Sequence, residues 1–386
     1  MNTQQKVTVG IIGGGLMGRE VAATIARWPA LVDHPVRPVL VGVCDTNPAA
    51  LAAFDSVDTI ITRVTDYRDL LADDNIDVVY IAVRHDLHAQ IYRDAIRAGK
   101  DVLGEKPFGI DAAAAASIID EITENPNVFV RCSSEMPFFP AAQAAISLIT
   151  GGALGTLIEA SNEFSHSSDF DTAKPINWKR QRRFCGDAGV MNDLGMHVLH
   201  VPLRLGWQPD TLYAVLQNLV AQRPGPDGDL VPCDTYENAH LLCRVVDRGD
   251  FPLTLGMRRI DPGQKNSWTL RAVGMNGGVA FSTRYPKTLR VMKLDGREQV
   301  WQEVEIGSQG PFATVTGGIF ETGFSDAMLQ MWASFLAERA GQLGDRFGCA
   351  TPAEALRTHE IFAAALQSQQ THQAVAVANS AVKSGR

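Results

Sequence analysis

The chain has 386 residues, more than a single hydrophobic core usually serves, so we expect two domains. Hydrophobic residues make up 45% and charged residues 20%, which is typical of a globular protein and excludes a disordered one. The 35 basic and 43 acidic side chains give a net charge of −8 without any Lys/Arg tract, so we expect no nucleic-acid partner. No apolar run approaches the ~18 residues of a membrane span. The polar residues 1–5 leave no room for a signal peptide, and we expect a cytoplasmic protein without membrane contact.

The cysteine and histidine spacings do not predict a metal site or a disulfide framework. Six cysteines are scattered without a C-x-x-C pair, and we expect them to be reduced and mostly buried. His85/His88 and His197/His200 are each three residues apart and could share a helical face as metal ligands. Because no Cys or carboxylate stands near them at ligand spacing, we expect no metal.

The first part of the chain alternates between short apolar runs and longer helical patterns. This alternation predicts a doubly wound parallel sheet with helices on both faces. The predicted strands are Val7–Ile12, Val39–Cys44, Asp77–Val83, Asp101–Leu103 and Val128–Val130. The predicted helices are Gly18–Trp28, a second that begins at Asn47-Pro48, Leu87–Ala98 and Ile110–Thr123.

The second part contains consecutive strand patterns without helices between them, which predicts a large, mostly antiparallel open sheet. The predicted strands include Leu157–Phe164, His240–Val246, Leu253–Met257, Trp268–Val273 and Leu289–Leu294. The predicted helices are Pro140–Leu148, Val190–Leu205, Asp326–Ala340 and one that begins with a capping box at Thr351–Glu354. The Pro-, Gly- and Asp-rich segment Gln222–Pro232 is predicted to be a surface loop.

A glycine motif follows the first predicted strand and opens the first predicted helix. Residues 13–18 read Gly-Gly-Gly-Leu-Met-Gly, a G-x-G-x-x-G. The first glycine permits a tight turn, the second lets a pyrophosphate approach the backbone, and the third allows close packing of helix on strand. The helix N-terminus then offers unpaired N–H groups to the phosphates. We therefore predict dinucleotide binding by Gly13, Gly15, Leu16, Met17 and Gly18.

Asp45 ends the second predicted strand, where a carboxylate can accept hydrogen bonds from ribose hydroxyls and repel a 2′-phosphate. It lies farther from the glycines than the usual ~20 residues, and we interpret residues 29–37 as an inserted loop that explains the excess. The alternative is an ordinary turn residue at a strand end. Asp45 thus favours NAD over NADP as cofactor.

Three further motifs carry a family resemblance. They are Gly104-Glu105-Lys106-Pro107-Phe108, Ile81-Ala82-Val83 followed by His88, and Asp193-Leu194-Gly195-Met196-His197. With the glycine motif, they resemble the Gfo/Idh/MocA family of sugar and polyol oxidoreductases over essentially the whole chain. The resemblance implies a Rossmann NAD-binding domain over residues 1–131. It also implies an α+β domain over residues 132–386 for substrate binding and oligomerisation, with C-terminal helices at about 325–370.

Lys106 follows a predicted parallel strand, at the edge where open α/β sheets bind ligands. Pro107 disfavours helical geometry at Lys106, and Glu105 is expected to hold the ammonium group. The alternative is a surface ion pair beside a turn. The resemblance implies that the cofactor contacts in this region are Val83, Arg84, His88, Glu105 and Lys106.

Asp193 and His197 are four residues apart on a predicted helix and share a face, which His200 and Arg204 continue. By spacing alone, such a stripe is typical of the solvated side of an amphipathic helix. The resemblance implies instead that Asp193 and His197 face the nicotinamide. A histidine suits proton transfer because its ordinary pKa is about 6.5.

The resemblance also implies a mechanism without a metal. His197 would take the proton of a substrate hydroxyl, Lys106 would hydrogen-bond the same oxygen, and a hydride would pass to the nicotinamide. Asp193 would orient His197 or bind a neighbouring hydroxyl. Two alternatives stay open: an NAD-dependent glycoside hydrolase that acts by transient oxidation and elimination, and a non-catalytic nucleotide sensor. The presence of Lys106, Asp193 and His197 disfavours the sensor. A homodimer or homotetramer is expected.

The chain departs from the family pattern in three places. A common proline is replaced within Val83-Arg84-His85, a common Asp is replaced by His200, and the Arg of many members is missing from Ser134–Pro140. These departures leave the sugar or polyol unspecified. Arg84 and Glu135 are candidate substrate contacts beside Lys106, Asp193 and His197, with a structural role as the alternative.

Overall fold

The computed structural model describes residues 4–308 and 310–378, and the elements named here lie within those ranges. The helices are α1 (Leu16–Ala26), α2 (Pro48–Leu51), α3 (Tyr67–Leu71), α4 (His85–Arg97), α5 (Ala112–Glu124), α6 (Pro140–Thr150), α7 (Arg182–Cys185), α8 (Val190–Arg204), α9 (Phe324–Arg339) and α10 (Pro352–Thr371). The strands up to residue 224 are β1 (Gln5–Ile12), β2 (Val36–Cys44), β3 (Thr62–Val64), β4 (Val78–Ile81), β5 (Asp101–Gly104), β6 (Val130–Cys132), β7 (Leu157–His166), β8 (Thr211–Gln217) and β9 (Gln222–Pro224). Those that follow are β10 (Leu230–Pro232), β11 (Asn238–Val245), β12 (Phe251–Arg258), β13 (Asn266–Gly274), β14 (Gly277–Ser282), β15 (Thr288–Asp295), β16 (Glu298–Glu305) and β17 (Val375–Ala376).

The described residues form two compact units. Unit 1 comprises residues 4–138 and 310–355, and unit 2 comprises residues 139–308 and 356–378. The domain boundary between residues 131 and 132 stays a prediction, and the structure adds that α9 belongs to unit 1. Residues 1–3 of the predicted first domain and 379–386 of the second lie outside the described residues.

The sheet of unit 1 is entirely parallel, in the order β3-β2-β1-β4-β5-β6 over the residues described. Its central strand β4 is buried along its whole length because helices cover both faces. The predicted doubly wound parallel sheet is therefore confirmed. The short strand β3 was not predicted, because its residues Thr-Arg-Val are at least partly exposed and do not form a continuous apolar run.

Helix α9 completes the core of unit 1 although it lies far along the chain. It is buried from Ala327 to Ala337, as expected for a helix that is apolar on most sides. The Trp332 ring lies 5.7 Å from that of Tyr80 on β4, and the Phe335 ring lies 5.5 Å from that of Phe129. Unit 1 is thus built from two separate stretches of sequence.

The larger sheet belongs to unit 2 and has the order β16-β15-β14-β13-β7-β12-β11-β8-β17 within the described ranges. Neighbouring strands are antiparallel except β7 and β12, so the predicted mostly antiparallel sheet is confirmed. The predicted loop Gln222–Pro232 is wrong, because β9 and β10 pair there as a hairpin. Arg223 of this hairpin is buried and donates to the carbonyl oxygen of Asp171 at 2.7 Å, which ties the segment to the fold.

Helix α8 packs on β7 and β12 and is buried from Val190 to Leu203. The interpretation of its polar stripe as a solvated face is therefore wrong. Gly195 allows close packing on α10, because a Cβ at this position would lie 2.2 Å from the Phe362 ring. The polar residues of α8 thus lie in a protein interior, where they require partners.

All six cysteines are buried thiols, as predicted from their spacing. Of the helices in the described ranges, none combines the length and hydrophobicity that a bilayer crossing requires. The cytoplasmic location stays a prediction.

Candidate active site

The glycine turn of unit 1 has the geometry that a dinucleotide requires. Gly13 has a φ of +106°, and a Cβ there would lie 2.1 Å from the carbonyl oxygen of Ala82. At Gly18, a Cβ would lie 2.1 Å from the carbonyl oxygen of Gly13. Gly15 is different, since a Cβ there would have no protein atom within 4 Å. The turn is closed at Gly13 and Gly18 and open at Gly15, just before α1 begins. This is the position at which a G-x-G-x-x-G turn lets a pyrophosphate approach the backbone.

Asp45 connects the end of β2 to this turn. Its Oδ2 accepts a hydrogen bond from the Gly14 N–H at 2.8 Å, and its Oδ1 accepts one from the Asn47 N–H at 2.8 Å. The carboxylate is therefore held in a fixed orientation beside the glycine turn. A nucleotide bound at the turn would place its ribose within reach of this charge, as in other Rossmann folds.

The charge of Asp45 gives a testable cofactor preference. The wild-type protein is expected to bind NADH more tightly than NADPH. In Asp45→Asn, the ratio of the NADPH to the NADH dissociation constant is expected to fall about tenfold or more. The substitution removes the repulsion of the 2′-phosphate but keeps an acceptor for the Gly14 N–H. Fluorescence quenching titrations with both nucleotides measure the ratio. Asp58→Asn removes a charge from an exposed residue of unit 1 and is the control. Tighter binding of NADPH by the wild type would contradict the assignment.

Glu105 and Lys106 directly follow β5, at its carboxyl end. The Glu105 Oε1 accepts hydrogen bonds from the Tyr80 hydroxyl and from the Ser133 hydroxyl, each at 2.6 Å. Glu105 is thus fixed by hydroxyl groups from the two neighbouring strands. Lys106 is half-buried, and its peptide bond to Pro107 is cis. Tyr80 and Ser133 were missed by the sequence analysis because nothing local marks them as partners of Glu105.

His88 connects two loops at this edge of the parallel sheet. Its Nδ1 lies 2.7 Å from the Pro107 carbonyl oxygen, and its Nε2 lies 3.0 Å from the Val83 carbonyl oxygen. Burial lowers the pKa of His88, and the neutral ring donates to one of the two carbonyls. His88 therefore positions the loops that carry Val83 and Lys106.

Arg84 directly precedes α4 and forms a bidentate ion pair with Asp86, with nitrogen–oxygen distances of 3.0 and 3.1 Å.

Glu135 lies just beyond β6, beside the loop of Glu105 and Lys106. The Ser133 N–H donates to the Gly104 carbonyl oxygen at 2.9 Å, which aligns residues 133–135 with the end of β5. Glu135 is 4% exposed. Burial raises the pKa of its carboxyl group to about 7, the negative charge of Glu105 adds to this rise, and Lys106 opposes it. The carboxyl group therefore exchanges a proton near neutral pH.

The raised pKa of Glu135 predicts a pH-dependent stability. The folded protein binds the Glu135 proton more tightly than the unfolded chain does, because the pKa is about 7 in the fold and 4.5 in the unfolded chain. This difference stabilises the fold fully at pH values below 4.5, and the stabilisation is lost as the pH rises through about 7. From pH 4.5 to 8 the loss is about 3 kcal/mol. Glu135→Gln is expected to remove this contribution to the pH dependence of the free energy of unfolding. Urea unfolding of both proteins at pH 5 and pH 8 measures it, with the exposed Glu124→Gln as control. Equal pH dependence in Glu135→Gln and the wild type would contradict the prediction.

Asp193 lies in the first turn of α8, in unit 2. The helix is anchored there by Val190, whose N–H donates to the Tyr236 carbonyl oxygen at 3.0 Å, and by Asn192, which donates to the Cys185 carbonyl oxygen at 2.8 Å. Asp193 Oδ1 accepts from the Lys179 ammonium at 2.8 Å, and Oδ2 accepts from Arg259 Nε at 3.0 Å. Both oxygens thus contact cations, and the helix N-terminus stabilises the negative charge further.

His197 lies one turn after Asp193 on the same face of α8. Its ring packs edge-on against Phe164 with 5.4 Å between centroids. Its carbonyl oxygen accepts a hydrogen bond from the Trp268 indole at 2.8 Å. Phe164 and Trp268 are register partners on β7 and β13, so two neighbouring strands fix this turn of the helix. His200 is buried one turn farther along, and Arg204 is half-buried.

The predicted residues therefore fall into two groups, one in each unit. Unit 1 brings together the glycine turn with Asp45, and the loops that carry Val83, Arg84, His88, Glu105, Lys106 and Glu135. Unit 2 brings together Asp193 and His197. Leu16 is 67% exposed beside Gly15, and Met17 is half-buried. Across residues 4–308 and 310–378, no group of three or more His, Cys, Asp or Glu side chains could hold a metal ion.

Comparisons with known proteins agree with this architecture. Residues 7–132 match the Gfo/Idh/MocA family, described as an oxidoreductase family with an NAD-binding Rossmann fold. Levoglucosan dehydrogenase from Pseudarthrobacter phenanthrenivorans is 25% identical over 74% of this chain and 76% of its own length. The D-xylose 1-dehydrogenase (NADP(+)) of Hypocrea jecorina is 26% identical over 60% of each chain. A levoglucosan dehydrogenase structure with NADH and L-sorbose has a TM-score of 0.88 at 23% identity, and the match covers 98% of this chain and 100% of that one.

An open glycine turn on a parallel sheet, with its acidic residue at the end of the next strand, is the geometry of an NAD-binding Rossmann fold. Together with the similarity to named dehydrogenases, it supports an NAD(P)-dependent oxidoreductase. Residues 7–132 are thus similar to the NAD-binding domain of the Gfo/Idh/MocA family of oxidoreductases.

Proposed function

We propose that the protein is an NAD-dependent dehydrogenase that oxidises a secondary hydroxyl of a sugar, sugar derivative or polyol. The observation that carries the proposal is an ion-pair cluster on α8. The buried Asp193 carboxylate contacts two cations, Lys179 and Arg259, one helical turn before His197. Burying a carboxylate costs desolvation free energy, so Asp193 is not an ordinary solvated residue of a helix surface. The dehydrogenase activities of the similar proteins support a hydroxyl as the reacting group.

The residues of the chain have separate roles in this reaction. His197 accepts the hydroxyl proton of the substrate, and Asp193 stabilises the positive charge that then forms on the imidazole. Lys106 donates a hydrogen bond to the same oxygen and stabilises its developing negative charge. When bound, NAD would supply the acceptor for the hydride of the carbinol carbon, which balances the oxidation of the alcohol to a ketone. Gly13, Gly15, Gly18 and Asp45 hold the nucleotide, and no metal takes part.

Deuterium transfer tests the proposal. With a panel of sugars, polyols and glycosides deuterated at the reacting carbon, a dehydrogenase forms deuterated NADH in proportion to the oxidised product. The measurement is NADH absorbance together with mass analysis of the products. Glycoside cleavage without net NADH would instead establish the redox-assisted glycosidase. Nucleotide binding without turnover of any member of the panel would establish a sensor.

We also propose a homodimer or homotetramer. Apolar side chains on two paired strands of unit 2 are exposed, with Tyr213 at 42%, Val215 at 44% and Leu242 at 57%. Tyr213 and Leu242 are register partners on β8 and β11, so the exposed side chains share one face of the sheet. A second copy of the chain packed on this apolar patch would bury it, and the burial would stabilise the dimer. Sedimentation velocity measures the association, and a monomer at micromolar concentration would contradict it.

A further inference from the structure

Arg259 is a charged residue that no sequence motif includes, although it contacts the proposed catalytic helix. It directly follows β12 and is 0% exposed. Its Nε donates to Asp193 Oδ2 at 3.0 Å, and its Nη1 donates to the carbonyl oxygen of Lys179 at 3.2 Å. The Arg259 N–H donates to the Glu237 carbonyl oxygen at 2.9 Å. Its side chain is therefore fixed at two nitrogens and its backbone at a third.

The two cations on Asp193 differ in their surroundings. Lys179 has a side chain that is 36% exposed, whereas Arg259 is fully buried. Water screens the Lys179 charge in part, but it cannot screen Arg259. The guanidinium group is also planar and holds two acceptors in fixed directions, which an ammonium group cannot do. Arg259 therefore holds one oxygen of the Asp193 carboxylate in a fixed direction, with a charge that water screens less than the charge of Lys179.

Other charged groups face Asp193 from the elements packed against it. His166 at the end of β7 and Arg180 beyond β7 interact with both Asp193 and Arg259. Burial lowers the pKa of His166 to about 4, so this ring is neutral at neutral pH. Arg180 forms its own ion pair with Asp169. Lys179 and Arg259 each donate a hydrogen bond to Asp193.

We propose that Arg259 is a positioning residue of the reaction: it fixes the Asp193 carboxylate and sets the electrostatic potential at which His197 accepts the substrate proton. The inference rests on the proposed function, in which His197 is the proton acceptor. Asp193 favours the protonated imidazole, and the positive charge of Arg259 limits this effect. Without that limit, His197 would hold its proton to a higher pH and would be a poorer acceptor at neutral pH.

The test compares Arg259→Gln and Arg259→Lys with the wild-type protein. The titration of His197 is followed by NMR with histidine-selective labelling, and its signal is assigned by its loss in His197→Gln. For Arg259→Gln we expect the His197 midpoint and the acid limb of the kcat/KM profile to rise by about one pH unit. We also expect kcat to fall about tenfold. Arg259→Lys is expected to restore the midpoint but not the full kcat, because it keeps the charge and loses the fixed geometry.

Arg223→Gln is the matched control. Arg223 is a second buried arginine of unit 2, and it donates to the Asp171 and Lys174 carbonyl oxygens and lies 4.0 Å from Glu237. Its loss is expected to lower the free energy of unfolding without moving the His197 midpoint or the acid limb. An equal shift in Arg223→Gln and Arg259→Gln would overturn the inference, because any buried charge would then have this effect.

Two further outcomes complete the test. If Arg259→Gln does not fold, Lys179→Gln removes the more exposed cation of Asp193, and it is expected to raise the same midpoint by a smaller amount. An unmoved midpoint in the folded variant would overturn the inference while NADH formation by the wild type still supports the proposed function. A wild type that oxidises no sugar or polyol would reject the proposed function, and the NMR titration would still measure the effect of Arg259.

Discussion

Replacing His197 with alanine is expected to lower kcat about 10²-fold or more, because the substrate hydroxyl then loses its proton acceptor. Lys106→Ala is expected to lower kcat by about 10²- to 10³-fold, as measured for the loss of groups that stabilise a developing negative charge on oxygen. In both variants the affinity for NADH should change little, since we expect the glycine turn and Asp45 to supply most nucleotide contacts. Steady-state kinetics on the best substrate, together with NADH titrations, separate the two quantities.

The control for these variants is His240→Asn, a half-buried histidine on β11 near Arg258 and outside the proposed site. It is expected to keep the wild-type kcat. The double variant Lys106→Ala/His197→Ala should lose less than the product of the two single effects, because the proposed mechanism assigns both residues to the same substrate oxygen. Full activity in the double variant would show that the site lies elsewhere.

Gly15→Ala is expected to weaken NADH binding about 100-fold or more while the free energy of unfolding stays within about 0.5 kcal/mol of wild type. No protein atom lies within 4 Å of the Cβ position at Gly15, so the fold accepts a methyl group there. The pyrophosphate would meet that methyl group, because it approaches the backbone at the second glycine of the motif. Isothermal titration with NADH and urea unfolding measure the two effects independently.

Gly13→Ala is the matched variant with a different expected result. Its φ of +106° is unfavourable for alanine, and the new Cβ would lie 2.1 Å from a backbone oxygen that cannot move away easily. This variant should therefore lose stability as well as affinity. Unchanged NADH affinity in Gly15→Ala would contradict the position of the pyrophosphate, whatever the behaviour of Gly13→Ala.

The glycine turn was predictable from the sequence because its function depends on local backbone geometry. A strand, a G-x-G-x-x-G turn and a helix stand next to each other in the chain, and Gly13 and Gly18 have the close contacts that the motif predicts. The parallel sheet followed from the same kind of local information, since buried parallel strands are continuous apolar runs. The order of strands in the larger sheet could not be read in this way, because β7 lies between β12 and β13, which follow it much later in the chain.

Residues whose role depends on tertiary contacts were missed. Arg259 meets Asp193 across 66 positions of sequence, and its own neighbourhood resembles an ordinary turn after a strand. Strand β16 was missed for a different reason: almost all of its residues are exposed, so it lacks alternating hydrophobicity. The stripe on α8 was ambiguous because polar spacing is the same on a solvated helix and on a buried one that has charged partners.

The return of residues 310–355 to unit 1 affects how the protein is made on the ribosome. The strands β1–β6 leave the ribosome first, but the face of β4 that carries Tyr80 still lacks Trp332 of α9. The edge strand β6 also still lacks its partner, since the Cys132 N–H donates to the Ala350 carbonyl oxygen at 2.9 Å. An N-terminal fragment ending near residue 138 would therefore expose apolar surface and an unpaired strand edge, which favours aggregation. Unit 1 can therefore complete its core only after residues 310–355 have left the ribosome.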